Sequence, residues 1–196
     1  MYAIFGFTRI FYRRKATKSR REYSGESPKT KPIRNWAYIG IAISIIGVFI
    51  AYILYLVIPP WISWFPLPFP SFIRWGGIIL GFSVIPFLIW THRTLSHFWS
   101  ADLEIQDKHR LITAGPYSRI RHPMYTAFIL FTLSSVLLAA NLFVTIFGLL
   151  ICIMLYPISK QEEQMLIREF GDQYKAYMNR TGRFLPRFRK QKNQQT

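Results

Sequence analysis

Four long apolar stretches constrain this chain more than any other feature. Residues 36–58 carry no charged side chain, and roughly 20 apolar helical residues are enough to cross the hydrocarbon core of a bilayer. Residues 72–90 form a second run, interrupted only by Arg74, and residues 123–140 and 142–158 are two more without charge. A chain of 196 residues has too little polar sequence to wrap four such helices in a soluble fold. The expected class is an all-α integral membrane protein with about four transmembrane helices. Residues 1–12 are apolar apart from Arg9 and too short to span unaided. They read as an interfacial helix or as the stub of a span, a short fifth element.

Charge sets the expected topology. The formal net charge is +16, and strongly basic chains favour nucleic acid or anionic membrane surfaces. The apolar runs choose the membrane and exclude nucleic acid. Residues 13–34 concentrate Arg13, Arg14, Lys15, Lys18, Arg20, Arg21, Lys29, Lys31 and Arg34, which suits either a tether to anionic lipids or a solvated topogenic arm. Residues 59–70, PPWISWFPLPFP, carry no charge and suit a turn at headgroup level, where aromatic rings sit well. Residues 91–122 read as a long polar connection, and Asn141 as a tight turn closing residues 123–158 into a helical hairpin. The arm, the polar connection and the basic tail then share one side, the cytoplasm by the positive-inside rule. The organisation is thus a basic arm over 1–35, a membrane hairpin over 36–92 and a core over 93–196. Cys152 sits inside an apolar run and reads as a packing residue.

The chemistry-bearing residues gather at the ends of these runs. Gly115-Pro116-Tyr117-Ser118-Arg119-Ile120-Arg121-His122-Pro123-Met124-Tyr125 leads into the third run, and Glu162-Glu163 follows the fourth. Pro123 suits a first helical position, so Arg121 and His122 flank either an anion-binding helix start or a membrane boundary marked by snorkelling side chains. Tyr117 and Tyr125 are interface anchors or face a site at that helix mouth. Glu162 and Glu163 are expected to open a second, amphipathic helix. Leu166, Phe170, Tyr174 and Met178 follow Glu162 in steps of four, which puts Glu162 on the apolar stripe and in need of a partner. Glu163 is accounted for by the helix dipole. Asp102, Glu104, Asp107 and His109 match no standard metal loop, and no metal is expected. His92 and His97 read as interfacial residues.

Taken together, these residues resemble the isoprenylcysteine carboxyl methyltransferase family of integral membrane enzymes, which is related to phospholipid methyltransferases. The resemblance runs from about Trp99 to Pro186. It rests on Trp99-Ser100-Ala101, His109-Arg110-Leu111-Ile112-Thr113, Gly115-Pro116-Tyr117 and Arg121-His122-Pro123-Met124-Tyr125. Glu162-Glu163, Phe170-Gly171-Asp172-Gln173-Tyr174, Tyr177 and Leu185-Pro186 complete it.

The resemblance implies S-adenosyl-L-methionine as cofactor. It would lie in a cytoplasm-facing pocket formed by the central loop, the start of the third apolar helix and the C-terminal amphipathic helix. Carried over position by position, the cofactor-binding residues are His109, Arg110, Leu111, Ile112, Tyr117, His122, Pro123, Met124, Tyr125 and Glu162, and Arg121, Tyr125 and Glu162 are the expected catalytic residues. A lipophilic small-molecule or prenylated acceptor would enter from the bilayer. Family members that methylate prenylcysteine usually carry an arginine four residues before the first glutamate. Here Ile158 holds that position and Lys160 is the nearest cation, so these two mark the expected acceptor site. Members also commonly carry an additional N-terminal span. The implied activity is carboxyl methylation of an isoprenylcysteine-like acceptor. The alternatives are N-methylation of a phospholipid or other lipophilic amine, an NADPH-dependent reductase of the sterol type, and a non-catalytic membrane adaptor.

Overall fold

The computed structural model describes residues 1, 4–8, 11, 36–57, 65–101 and 111–187. The basic arm over 13–34, the proline-rich residues 59–64, residues 102–110 with His109 and Arg110, and the tail beyond Arg187 lie outside the described residues. Four long helices account for most of what is described: α1 (Trp36–Val57), α2 (Ser71–Ala101), α3 (Pro123–Ala139) and α4 (Leu142–Arg180), with a 3-10 turn at Gly115–Ser118. Among the described residues there is no β-strand beyond two isolated bridges. Two helices, over Ser71–Leu95 and Leu142–Arg180, are long and apolar enough to cross a membrane; α3 and Trp36–Ala51 of α1 are shorter apolar helices. This is the character of an integral membrane protein.

The helices pack in the order α2, α3, α4, α1. α1 turns its small residues inward and its large ones outward. Ala37 and Ser44 are buried, whereas Ile43, Ile46, Phe49, Ile50 and Ile53 are exposed. A Cβ on Gly47 would meet the Phe147 ring of α4 at 2.5 Å. Ala37, Gly40, Ser44 and Gly47 recur every three or four residues, so they form one stripe. Small stripes of this kind let helices in lipid approach closely, where large apolar side chains gain nothing by turning inward.

α2 and α3 pack through Val84, Leu88 and Ala127, and Phe5 of the N-terminal segment joins them. The Phe5 ring stacks on Phe131 at 4.0 Å and meets Phe128 edge-on. Ser134 of α3 donates to the Gly77 carbonyl of α2 at 2.8 Å. Residues 4–8 are helical, and Phe5 lies against this pair.

Residues 91–101 correct the sequence reading. They continue α2 and do not begin a polar connection. Thr91 and Thr94 are buried, but their hydroxyls return to the carbonyls of Phe87 and Trp90 in the preceding turn, at 2.9 and 3.0 Å. Their polarity is satisfied inside the helix and does not end it.

At the far end, Ala140 takes a left-handed conformation (φ 46°) and its N–H reaches the Val136 carbonyl. Asn141 then caps α4, accepting from the N–H groups of Phe143 and Val144. The Leu67 N–H donates to Ala140 O at 2.7 Å and the Leu142 N–H to Phe65 O at 3.1 Å. The α1–α2 connection and the α3–α4 turn therefore meet at one end of the bundle. The motif residues lie at the other.

Candidate active site

The site forms where the start of α3 meets the middle of α4. α4 runs unbroken from Leu142 through Glu162 and Glu163, with Pro157 inside it, and kinks only at Gly171. Glu162 and Glu163 therefore open no new helix, and the expected C-terminal amphipathic helix is the second half of α4. The apolar part of its sequence ends near Ser159, and from Lys160 onward its residues are largely polar. The dipole account of Glu163 fails with the helix start it required.

Glu163 is the buried member of the pair. Its side chain is 3% exposed and that of Glu162 is 39% exposed. Counting in steps of four had placed Glu162 on the buried stripe. Four residues overshoot a helical turn by about 40°, so the error grows along the helix. A break at Gly171 (φ 54°, ψ −127°) then resets the phase before the buried Tyr174 and Tyr177.

Three side chains hold the Glu163 carboxylate. Arg121 donates from Nε at 2.9 Å. Arg183 donates from Nε at 3.1 Å and from its terminal nitrogen at 2.5 Å, a two-pronged fork. His122 Nε2 lies 3.4 Å away, at ion-pair distance. Burial alone would raise this carboxyl, but the bonds from His122, Arg183 and Arg121 outweigh it and hold it down, at about 2. Glu163 is therefore an anion throughout the neutral range.

His122 bridges the two carboxylates. Its Nδ1 lies 3.4 Å from Glu162 Oε2. Burial disfavours the imidazolium, yet the two glutamates prevail and shift His122 above its ordinary value. The ring stacks on Tyr125, with centroids 5.4 Å apart and planes 7° from parallel. The Tyr125 hydroxyl donates to Glu162. Phe184 leans on both rings, at 6.2 Å from His122 and 6.5 Å from Tyr125.

A backbone strap fixes this geometry. Residues 181–184 leave α4 and run beside residues 119–122, with a parallel bridge between Ile120 and Gly182. The Gly182 N–H donates to Arg119 O at 3.0 Å, the Arg121 N–H to Gly182 O at 2.8 Å and the His122 N–H to Arg183 O at 3.0 Å. Thr126 Oγ1 donates to Phe184 O at 2.7 Å. Arg121 is 10% exposed, and its Nη1 donates to the carbonyls of Met178 and Thr181.

Of the residues named from the sequence, the structure brings together Arg121, His122, Pro123, Tyr125 and Glu162. Tyr117 joins through its carbonyl, which accepts from the Tyr177 hydroxyl at 2.6 Å. Leu111, Ile112 and Met124 are partly buried. Ile158 is 2% exposed, whereas Lys160 points outward. Among the described residues, no group of three or more His, Cys, Asp or Glu is arranged to hold a metal ion. Sequence reasoning missed Glu163, Arg183 and Phe184. The signal for Glu163 was the 3.6-residue period; Arg183 and Phe184 lie in a short tail whose partners are set by the fold.

Residues 78–168 match the sequence model of the isoprenylcysteine carboxyl methyltransferase (ICMT) family. The protein-S-isoprenylcysteine O-methyltransferase of Schizosaccharomyces pombe is 33% identical over 82 residues, 40% of this chain and 34% of that protein. The chain thus spans about a third of the length of the curated relative it matches. The matched residues hold the α3 start and both glutamates, and the strap lies beyond them. Residues 78–168 carry the sequence pattern of the isoprenylcysteine carboxyl methyltransferase family, the family that the RHPMY and Glu-Glu motifs resemble.

Proposed function

We propose that this chain is an S-adenosylmethionine-dependent membrane methyltransferase that methylates the carboxylate of an isoprenylcysteine-like lipophilic acceptor. The observation that carries the reading is His122, at the start of α3, with Glu162 and Glu163 each 3.4 Å from one of its ring nitrogens. Ionisable groups gathered beside apolar spans are costly and mark function.

The residues present fit the proposed cofactor. Glu162 offers a partly exposed carboxylate for its ammonium or hydroxyl groups. The N–H groups at the start of α3 would hold its carboxylate. The rings of Tyr125 and Phe184 would give flat faces for a purine or a sulfonium, the latter favoured by roughly 0.5–2 kcal/mol through cation–π attraction. Leu111, Ile112, Tyr117, Pro123 and Met124 would line the same pocket; His109 and Arg110, carried over from the resemblance, lie outside the described residues.

When bound, the cofactor supplies a methyl group on a sulfonium, ready for in-line displacement. A carboxylate acceptor is ionised at neutral pH and needs no general base. The protein's task is then alignment and exclusion of water, which can supply ~7–11 kcal/mol. Tyr125 and Glu162 are the groups we assign to the reacting centre. Arg121, committed to Glu163 and two carbonyls, enters as the residue that fixes the α3 start.

We further infer four spans, α1 to α4, with the site at the cytoplasmic face. Among the described residues, exposed Arg93, Arg119, Lys160, Arg168, Arg180 and Arg187 lie at the site end and Arg74 at the other, the asymmetry of the positive-inside rule. The basic arm would meet anionic lipid on that side.

One observation favours a second reading. Ile158 is buried where the family's prenylcysteine enzymes usually carry an arginine, so no cation meets an acceptor carboxylate there. An amine acceptor would need none, but it must lose a proton, which Glu162 could accept.

Calorimetric titration with S-adenosylhomocysteine tests the site. The purified chain should bind it, and His122→Ala and Glu162→Ala should each weaken binding on the order of tenfold. Unchanged affinity in both variants would remove the assignment. With methyl-labelled cofactor, a carboxylate product releases volatile methanol in base, and an N-methyl product does not.

A further inference from the structure

We propose that Arg183 and Glu163 form a latch that positions His122 and Tyr125 by fastening the 181–184 strap across the start of α3. The readout through cofactor binding rests on the methyltransferase reading; the geometry does not. The strap is tied by backbone bonds at Arg119, Arg121 and His122. Those bonds fix its register but exert no control over the His122 ring.

The side chains supply that control. Arg183 reaches back from the strap and grips both oxygens of Glu163. Its guanidinium also lies over the Tyr156 ring, 4.7 Å from the centroid. The same carboxylate meets Arg121 and His122 from the α3 side. One buried anion thus links α4, the strap and the residues just before α3. With the strap held, Phe184 is held too, and its ring backs the His122–Tyr125 stack. A guanidinium suits this role better than an ammonium, because its planar fork fixes direction as well as charge.

The latch predicts a specific pattern. Arg183→Ala and Glu163→Gln should each weaken S-adenosylhomocysteine binding on the order of tenfold or more, through displaced rings and not through a lost contact. Arg183→Lys keeps the charge but loses the fork, and should recover part of the affinity. Arg74→Ala, which removes a bond to the Leu138 carbonyl at the opposite end, should lower thermal stability without changing affinity. In the same Arg183→Ala protein, amide exchange at Arg121, His122 and Gly182 should accelerate. Wild-type affinity in both Arg183→Ala and Glu163→Gln would overturn the proposal, as would affinity that follows melting temperature across all the variants, Arg74→Ala included. If the wild-type chain binds no S-adenosylhomocysteine, the proposed function falls. Exchange then decides the latch: unchanged protection in Arg183→Ala overturns it, and faster exchange supports it.

Discussion

The Tyr177 hydroxyl donates to the Tyr117 carbonyl at 2.6 Å, joining the last turns of α4 to the 3-10 turn that precedes the site. Tyr177 is buried, and burial pushes its phenol up to about 12, so it remains a donor. Tyr177→Phe keeps the ring and strands the carbonyl. The expected loss is about 1–2 kcal/mol, read as a lower melting temperature in detergent. An unchanged melting temperature would mean that the carbonyl finds another donor.

Gly171 holds α4 at φ 54° and ψ −127°, a conformation that a side chain resists. A Cβ there would meet no atom within 4 Å, so a substitution is penalised through the backbone alone. Gly171→Ala should cost at least ~1–2 kcal/mol and rotate Tyr174 and Tyr177 out of their buried positions. Thermal unfolding together with exchange at the Thr181 amide, which donates to Tyr177 O at 3.2 Å, would show both effects. A variant as stable and as protected as the parent would mean that the helix can run straight through residue 171.

The Glu163 cluster makes stability depend on pH in two directions. Glu163 is depressed from its ordinary 4.5 to about 2. Its stabilisation is full above pH 4.5 and is lost as pH falls through about 2. His122 is raised above 6.5. Its contribution is full below 6.5 and is lost as pH rises through the elevated value. The cluster is therefore strongest between pH 4.5 and 6.5. The melting-temperature difference between wild type and Glu163→Gln should be largest in that window and shrink on either side. Proton resonances of the His122 ring should also titrate lower in Glu163→Gln, which removes one of its two carboxylates. A pH-independent difference would contradict the charged cluster.

The parts of this molecule legible in the sequence are those set by neighbours in sequence. The apolar runs became helices, Asn141 became a cap and Pro123 became the first residue of α3, because hydropathy and capping act over a few residues. Residues 91–101 were misread because the threonine hydroxyls bond back to their own helix, which composition does not reveal. Glu163 was misread because steps of four drift from the 3.6-residue period, and its ion-pair partners, Arg121 and Arg183, are delivered by the fold from either side. The strap was invisible for the same reason: no local pattern announces that Gly182 will lie beside Ile120.

Ile158 tests the choice of acceptor. It is 2% exposed, one helical turn before Glu162. An arginine at this position can extend along the helix to Glu162, since residues four apart share a face. The substitution should lower stability; a charge at the centre of a span costs about 2.5–3.5 kcal/mol on insertion scales, and less near its end. If a carboxylate acceptor docks beside this turn, Ile158→Arg should nevertheless raise the share of transferred methyl that base releases as methanol. The measurement is the ratio of base-labile to base-stable label per folded molecule, with folding checked by S-adenosylhomocysteine binding. A folded variant with no rise in that ratio would argue against a carboxylate at this position and favour the amine reading.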